Sequence, residues 1–237
     1  MGQNQTLMFM VDNKPDVVCE VFTQALIHAS EQVKAYLGFK DPEQKLRVST
    51  RTLNEIFLMS FIQFCQEKGM EDRIATSRMN KQQEVLLGVD WVWTLTGNTK
   101  NTHFQIAVQT VQLCQACQPT EMDEDPYERI LERAITSLED ASKTRYEKLL
   151  DFCSSIGLNC TGLVIVFGVQ EKPKEIRGVL SKHLGQFKEK NAHVTDELLL
   201  QYLKSTDHFI TVNEMIANYL CNGKKANNAE RVYINFL

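Results

Sequence analysis

The sequence lacks the biases that mark a membrane-spanning chain, a nucleic-acid binder or a disulfide scaffold. Its apolar runs are interrupted before the roughly 20 residues that a helix needs to cross a bilayer. Its formal net charge is −4, from 26 basic and 30 acidic residues. A strongly basic footprint is therefore absent, and no nucleic-acid partner is expected. The cysteines number seven, an odd count, and are scattered along the chain. Several sit inside apolar runs, where a thiol acts as a small hydrophobe. No basic-then-apolar signal segment opens the chain. Free thiols in a reducing, cytoplasmic setting are the expectation.

Signatures of catalysis are missing as well. The chain has no P-loop, no G-x-G-x-x-G, no G-x-S-x-G, no H-E-x-x-H and no EF-hand loop. His28, His103, His183, His193 and His208 are dispersed without ligand spacing. Cys114 and Cys117 form a lone C-x-x-C, whereas a structural zinc site needs four ligands. A redox motif would open a helix, but Pro119 and the acidic run Glu121–Asp125 follow instead. No metal, no cofactor and no enzymatic activity are expected.

What is present is a strong core. Thr52–Gly69, TLNEIFLMSFIQFCQEKG, reads as a helix with Thr52 and Glu55 as a capping box and Gly69 as its stop. Its apolar residues surround most of the helix, which predicts an element wrapped by others. Before it, Asn13–Leu37 reads as a long helix closed by Gly38, with His28 structural rather than catalytic. Asn80 and Gln83 form a capping box for a short helix ending near Gly88. The period then changes to two. Trp91, Trp93 and Leu95, followed after a Gly/Asn loop by Phe104, Ile106 and Val108, predict one apolar face of an antiparallel hairpin. The central helix is expected to pack there.

Further along, 115–125 reads as a polar loop, and Asp125-Pro126 as a helix start. Tyr146 to Ile156 forms an amphipathic phase ended by Gly157, and Leu163–Phe167 is a strand buried on both faces. Lys172–Lys190 shows Ile176, Val179, Leu180, Leu184 and Phe187 near one helical stripe among basic residues. That pattern predicts a helix, either an ordinary surface helix or a docking one. Helices capped by Thr195 and starting near Thr211 follow, then a polar linker at Gly223–Ala229 and the β-prone ending Val232–Leu237. The expected fold is α+β, a predominantly helical single domain around a small antiparallel or mixed sheet of about four strands. Residues 1–12 are expected to be a flexible segment and 13–237 one globular domain.

The opening Met1-Gly2-Gln3-Asn4-Gln5-Thr6 fits the N-myristoylation pattern, with Gly2 as the acceptor. One such chain gives only marginal, reversible membrane binding. No polybasic cluster follows, so a protein partner would have to supply the second anchor.

Several stretches, in order, carry a resemblance. They are Thr52–Gly69, GVDWVWTLTG at Gly88–Gly97, IAVQTVQL at Ile106–Leu113, FGVQEKPKEIRGV at Phe167–Val179 and the VYINFL ending. Together they resemble the Rab-fifteen effector protein family over nearly the whole chain. The resemblance implies a non-enzymatic effector that binds GTP-bound Rab GTPases. It also implies action in receptor recycling, with a cytoplasmic chain held peripherally on early or recycling endosomes. No short family motif marks the contacting residues. The mixed basic and apolar 174–188 segment is the expected docking helix, with Ile176, Leu180 and Leu184 as anchors and Arg177 as the charged contact. The alternative is a cytosolic enzyme or ligand-binding domain using a pocket beside Trp91 and Trp93.

Overall fold

The structure, a computed structural model, describes residues 17–43, 45–46, 48–96, 103–113, 143–169, 172–188, 193–217 and 232–237. Its elements run α1 (Val17–Lys34), α2 (Thr50–Glu67), β1 (Ile74–Arg78), α3 (Lys81–Leu87), β2 (Trp91–Thr96) and β3 (His103–Gln112). They continue with α4 (Arg145–Ile156), β4 (Cys160–Val169), β5 (Lys172–Leu180), α5 (Ser181–Lys188) and α6 (Asp196–Ser205). Last come β6 (Phe209–Thr211), α7 (Val212–Met215) and β7 (Tyr233–Asn235).

Among the described residues, seven strands form one mixed sheet in the order β1-β2-β3-β4-β5-β7-β6. The β3–β4 and β6–β7 pairs are parallel, and the others antiparallel. The α+β class stands, but the expected sheet of about four strands is corrected to seven. Strands β2, β3, β4 and β7 match the runs read as strands. The additions are β1, β5 and β6. Two of these are edge strands, where a half-exposed, short segment carries little periodic signal. The third, β5, is exposed over its first residues and buried on both faces from Ile176 onward. Its buried end, Ile176-Arg177-Gly178-Val179-Leu180, shows no apolar/polar alternation, so periodicity alone does not distinguish it from a helix.

Successive residues of a strand point to opposite faces, and β4 shows the consequence. Leu163, Ile165 and Phe167 join one core with α1 and α2, while Val164 and Val166 join a second with α4, α5 and α6. In the first core, Trp93 lies between Phe22 and Phe61, at ring-centroid distances of 5.2 and 4.8 Å. Phe57 sits 6.0 Å from Trp91. The hairpin pairs Trp91 with Val108, Trp93 with Ile106 and Leu95 with Phe104. The central helix therefore packs on the tryptophan face as its residues predict.

Helix α2 differs from expectation in two respects. It begins earlier: Ser49 is the N-cap, and its hydroxyl accepts the Thr52 N–H at 3.1 Å. Glu55 is committed elsewhere, to Arg51 and Arg78. The helix is also not wrapped. Leu53, Phe57, Leu58, Phe61 and Cys65 are buried, whereas Met59 is 64% and Ile62 38% exposed. Its end is as predicted. Gly69 adopts φ +65°, Met70 N–H donates to Cys65 O and Gly69 N–H to Gln66 O, both at 2.9 Å. These two bonds close the last turn as a Schellman motif.

Capping explains the other helix starts. Asn80 and Gln83 cap α3 reciprocally, and Gly88 ends it in the left-handed conformation. Thr144 with Glu147 starts α4, Thr195 starts α6, and Thr211 with Glu214 starts α7. The described part of the first long helix is α1, where His28 packs beside the Phe64 ring at 5.2 Å. The Asn13 cap, the Gly97–Asn101 loop, the Cys114/Cys117 pair, the 115–125 loop, the Asp125-Pro126 helix start and the Gly223–Ala229 linker lie outside the described residues.

Candidate functional site

The residues singled out from the sequence as a docking helix occupy the interior. Ile176 and Leu184 are fully buried, Leu180 is 4% exposed and Arg177 8%. Ile176, Arg177 and Leu180 belong to strand β5, and only Leu184 lies on a helix, α5. The helix reading of this stretch is thus corrected over residues 172–180. The apparent stripe joins the end of a buried strand to the helix that follows it. Arg177 is held within the fold: it donates to the Glu175 carboxylate through Nε at 2.9 Å and to Leu203 O at 3.3 Å. Its guanidinium also stacks over the Tyr233 ring at 4.6 Å. Lys172 and Arg177, by donating to Glu175, hold that carboxyl below its usual range against the opposing effect of burial, which is the largest single influence. Gly2 lies outside the described residues.

Trp91 and Trp93 are core residues, 1% and 0% exposed. Phe22, Phe57 and Phe61 occupy the space beside them. Among the described residues, no group of three or more His, Cys, Asp or Glu side chains is placed to hold a metal ion. Nor is any described helix long and apolar enough to cross a membrane. His183 is buried, and its pKa is pushed down to about 4, by desolvation first and by neighbouring Lys182 second. It is therefore a neutral core imidazole at pH 7.

One described surface with the chemistry of a protein contact is the outer stripe of α2. Arg51, Glu55, Met59, Ile62 and Gln66 follow at steps of four, four, three and four, so they share one helix face. That face is turned away from the buried row Leu53, Phe57, Phe61 and Cys65. Glu55 fixes its position: Oε1 accepts from Arg78 Nη2 at 3.2 Å and from Arg51 Nε at 3.4 Å. Arg78 ends β1, the strand at one end of the sheet order. An exposed Met–Ile pair is thereby placed beside charged groups and a sheet edge. Such ion pairs add little stability at an exposed site; their effect here is positional. Met59 and Ile62 were legible as apolar but not as exposed. The four-residue spacing from Leu53 through Phe57 and Phe61 to Cys65 is the signal that separates the inner row from the outer one.

A second polar feature ties the layers together behind this surface. Asp90, 7% exposed, accepts the Thr110 N–H at 2.6 Å, the Thr110 hydroxyl at 2.7 Å and Arg145 Nη2 at 2.9 Å. Asn54 on α2 donates to Thr110 Oγ1 at 2.8 Å. The chain Asn54–Thr110–Asp90–Arg145 thus runs from α2 on one face of the sheet to α4 on the other. Burial, then the nearby Asp90 carboxylate, raises the pKa of Glu84. The network acts as a brace between the two layers.

Comparison with known proteins follows this geometry. A protein-family model described as Rab15 effector matches residues 5–236. A curated protein of Mus musculus named Rab15 effector protein is 33% identical over 239 aligned residues, which cover 100% of both chains.

Proposed function

Because the chain belongs to the Rab15 effector family, we propose that it is a non-catalytic effector that binds a Rab GTPase in its GTP-bound state and supports receptor recycling from the endocytic recycling compartment. Family membership over the full length is the observation that carries this reading. GTP orders the switch loops of a small GTPase and GDP releases them. An effector needs no chemistry of its own; it needs a firm surface with differential affinity for the ordered state.

The outer stripe of α2 suits that task. Met59 and Ile62 supply apolar contact, and Arg51, Glu55 and Arg78 supply charge at its rim. The rigid support is the aromatic core directly beneath, so little ordering entropy is lost on docking. Ile176, Leu180 and Leu184 are core residues, and the docking assignment moves from them to Met59 and Ile62. The test is capture of recombinant Rab15 loaded with a non-hydrolysable GTP analogue or with GDP. Strong preference for the GTP form is the expected outcome. The double substitution Met59→Glu, Ile62→Glu is expected to weaken that capture about thirtyfold, the equivalent of one interface hot spot. Its melting temperature should stay within about 3 °C of the parent, since both side chains are exposed. Equal capture of both nucleotide states would overturn the effector reading. Undiminished capture by the double variant would overturn the surface assignment alone.

The Gly2 motif supports reversible lipid anchoring on endosomal membranes, with the Rab as the second point of attachment. In animal cells, Gly2→Ala is expected to move the protein from the membrane fraction to the cytosol. An N-terminus found without myristate by intact-mass measurement would remove this part of the proposal.

A further inference from the structure

We infer that the free edge of β1 binds a second copy of this chain: two molecules pair their β1 strands antiparallel about a two-fold axis at Thr76, and their sheets run on as one. Strand β1 is outermost at one end of the sheet, with β2 as its single neighbour among the described residues. Its pairing decides which backbone groups are already used. Met79 N–H donates to Asp90 O at 3.0 Å, and Thr96 N–H to Arg73 O at 2.9 Å. Both bonds continue the register that sets Ile74 opposite Leu95 and Arg78 opposite Trp91. Hydrogen-bonded pairs alternate along an antiparallel ladder. Arg73, Ala75, Ser77 and Met79 therefore turn their backbone groups to β2, and Ile74, Thr76 and Arg78 turn theirs outward. The Ile74 N–H is taken by Met70 O at 2.8 Å. The open edge thus consists of the Ile74 carbonyl and both backbone groups of Thr76 and Arg78.

Natural sheets blunt an edge with proline, a bulge, an edge lysine or a covering element. Strand β1 reads Ile74-Ala75-Thr76-Ser77-Arg78, its register is unbroken, and its one charged side chain reaches back to Glu55. Ala75, Ser77 and Arg78 are exposed and Thr76 is half-buried. The edge is also complementary to itself. With Thr76 on the axis, each Thr76 N–H meets the Thr76 carbonyl of the other copy, and each Arg78 N–H meets the Ile74 carbonyl of the other copy. These bonds use every free donor on the edge, and the one donor they leave out is the Ile74 N–H that Met70 already holds. The two threonines meet on one face of the sheet as a favourable cross-strand pair. On the other face Ala75 lies opposite Ser77, and both are small. Charge fits as well: antiparallel pairing lays the exposed acidic turn Glu71-Asp72 of one copy beside the Arg78 end of the other. An edge that meets its own copy closes as an isologous dimer. Arg78 reaches α2 on the Thr76 face, and opposed strand residues share a face, so both α2 helices stand on the same side of the joined sheet. On the effector reading, and resting on it, the dimer presents two docking stripes together, which strengthens attachment to a membrane-bound partner by multivalency.

Analytical ultracentrifugation of the full-length protein, with no GTPase present, tests the pairing apart from the effector reading. At about 50 µM, where interfaces of micromolar strength are filled, the expected species has twice the chain mass of 27.2 kDa. Thr76→Pro removes the donor on the axis from both copies, at an edge position where a strand tolerates proline. It is expected to raise the dimer dissociation constant about tenfold or more. Thr76→Cys is expected to give, on mild oxidation, a dimer linked by a disulfide between the two substituted positions. Opposed Cα atoms of a hydrogen-bonded pair stand about 5.5 Å apart, within disulfide reach. Ser77→Cys, whose two positions are not opposed, should give no such link. A chain that stays monomeric overturns the proposal. So does a dimer that Thr76→Pro leaves equally tight, or one that Thr76→Cys does not link. A monomer whose Thr76→Pro variant loses Rab15 capture would assign the edge to the GTPase and overturn the second-copy reading. If Thr76→Pro does not fold, the peptide map of the Thr76→Cys dimer decides.

Discussion

Removing Val232–Leu237 is expected to abolish cooperative folding. The β-prone segment supplies β7, which lies inside the sheet between β5 and β6. Arg177 pairs with Asn235 and Gly178 with Ile234, and Phe236 N–H donates to Ile176 O at 3.2 Å. The Tyr202 hydroxyl donates to Val232 O at 2.7 Å. Ile234 and Phe236 are each 1% exposed. Gly178 leaves room for the Phe236 ring, since a Cβ there would stand 2.6 Å from Phe236 Cε2. Truncating a buried Phe to Ala alone costs about 3–5 kcal/mol, against a typical total stability of about 5–15 kcal/mol. Losing Ile234, the Phe236 ring and the ladder bonds together exceeds what such a fold can absorb. Thermal denaturation followed by circular dichroism checks this: the truncated chain should show no sharp transition, and Phe236→Ala a cooperative but lowered one. A truncated chain that melts with the parent's sharpness and midpoint would mean that β7 is not integral to the sheet.

Asp90→Ala is expected to cost about 3 kcal/mol. Several groups lose their acceptor at once, and they do not lose equally. Arg145 is about half exposed, with 49% of its side-chain surface accessible, so water replaces much of its pairing, and that part is worth less than about 1 kcal/mol. Thr110 is 1% exposed. Its N–H and hydroxyl both face the carboxylate, at 2.6 and 2.7 Å, and a stranded buried donor costs about 1–3 kcal/mol. The loss is therefore dominated by Thr110 rather than by the ion pair. For a chain of this size it corresponds to a fall of roughly 6–12 °C in melting temperature. Asp90→Asn, which keeps a carbonyl oxygen as acceptor, should lose less than half as much. Arg145→Ala should move the midpoint little. Equal losses for Asp90→Ala and Arg145→Ala would assign the energy to the ion pair instead. Urea titration of the three variants separates these outcomes.

Both predictions concern contacts between residues far apart in sequence, and the errors of sequence reading lie in the same place. The capping box at Asn80 and Gln83 was legible because its members are three residues apart and satisfy one another. The Trp91–Val108 hairpin was legible because alternation survives where the hydrophobic face is buried along its whole length. Strand β5 was not. Its side chains after Glu175 are covered on one face by the first core and on the other by the second. That two-sided cover erases the alternation. What then stands in the sequence is an apolar cluster running into α5, and its spacing imitates a helix. The edge strands β1 and β6 failed for the opposite reason, too little burial to impose a pattern.

The candidate surface divides in the same way. Met59 and Ile62 belong to a helix whose existence, stop and core partner follow from Thr52–Gly69 itself. Which of its apolar residues face water depends on where α1, β1 and the tryptophan face lie around it. The sequence by itself determined the caps at Asn80 and Thr195, the hairpin, the doubly buried β4 and family membership, because these rest on neighbours within a few residues or on the order of whole stretches. Only the tertiary structure decided the seven-strand order, the burial of Ile176, Leu180 and Leu184, the Asp90 brace and the exposed stripe of α2. Burial is a property of what packs against a residue, and the packing partners here are distant in the chain.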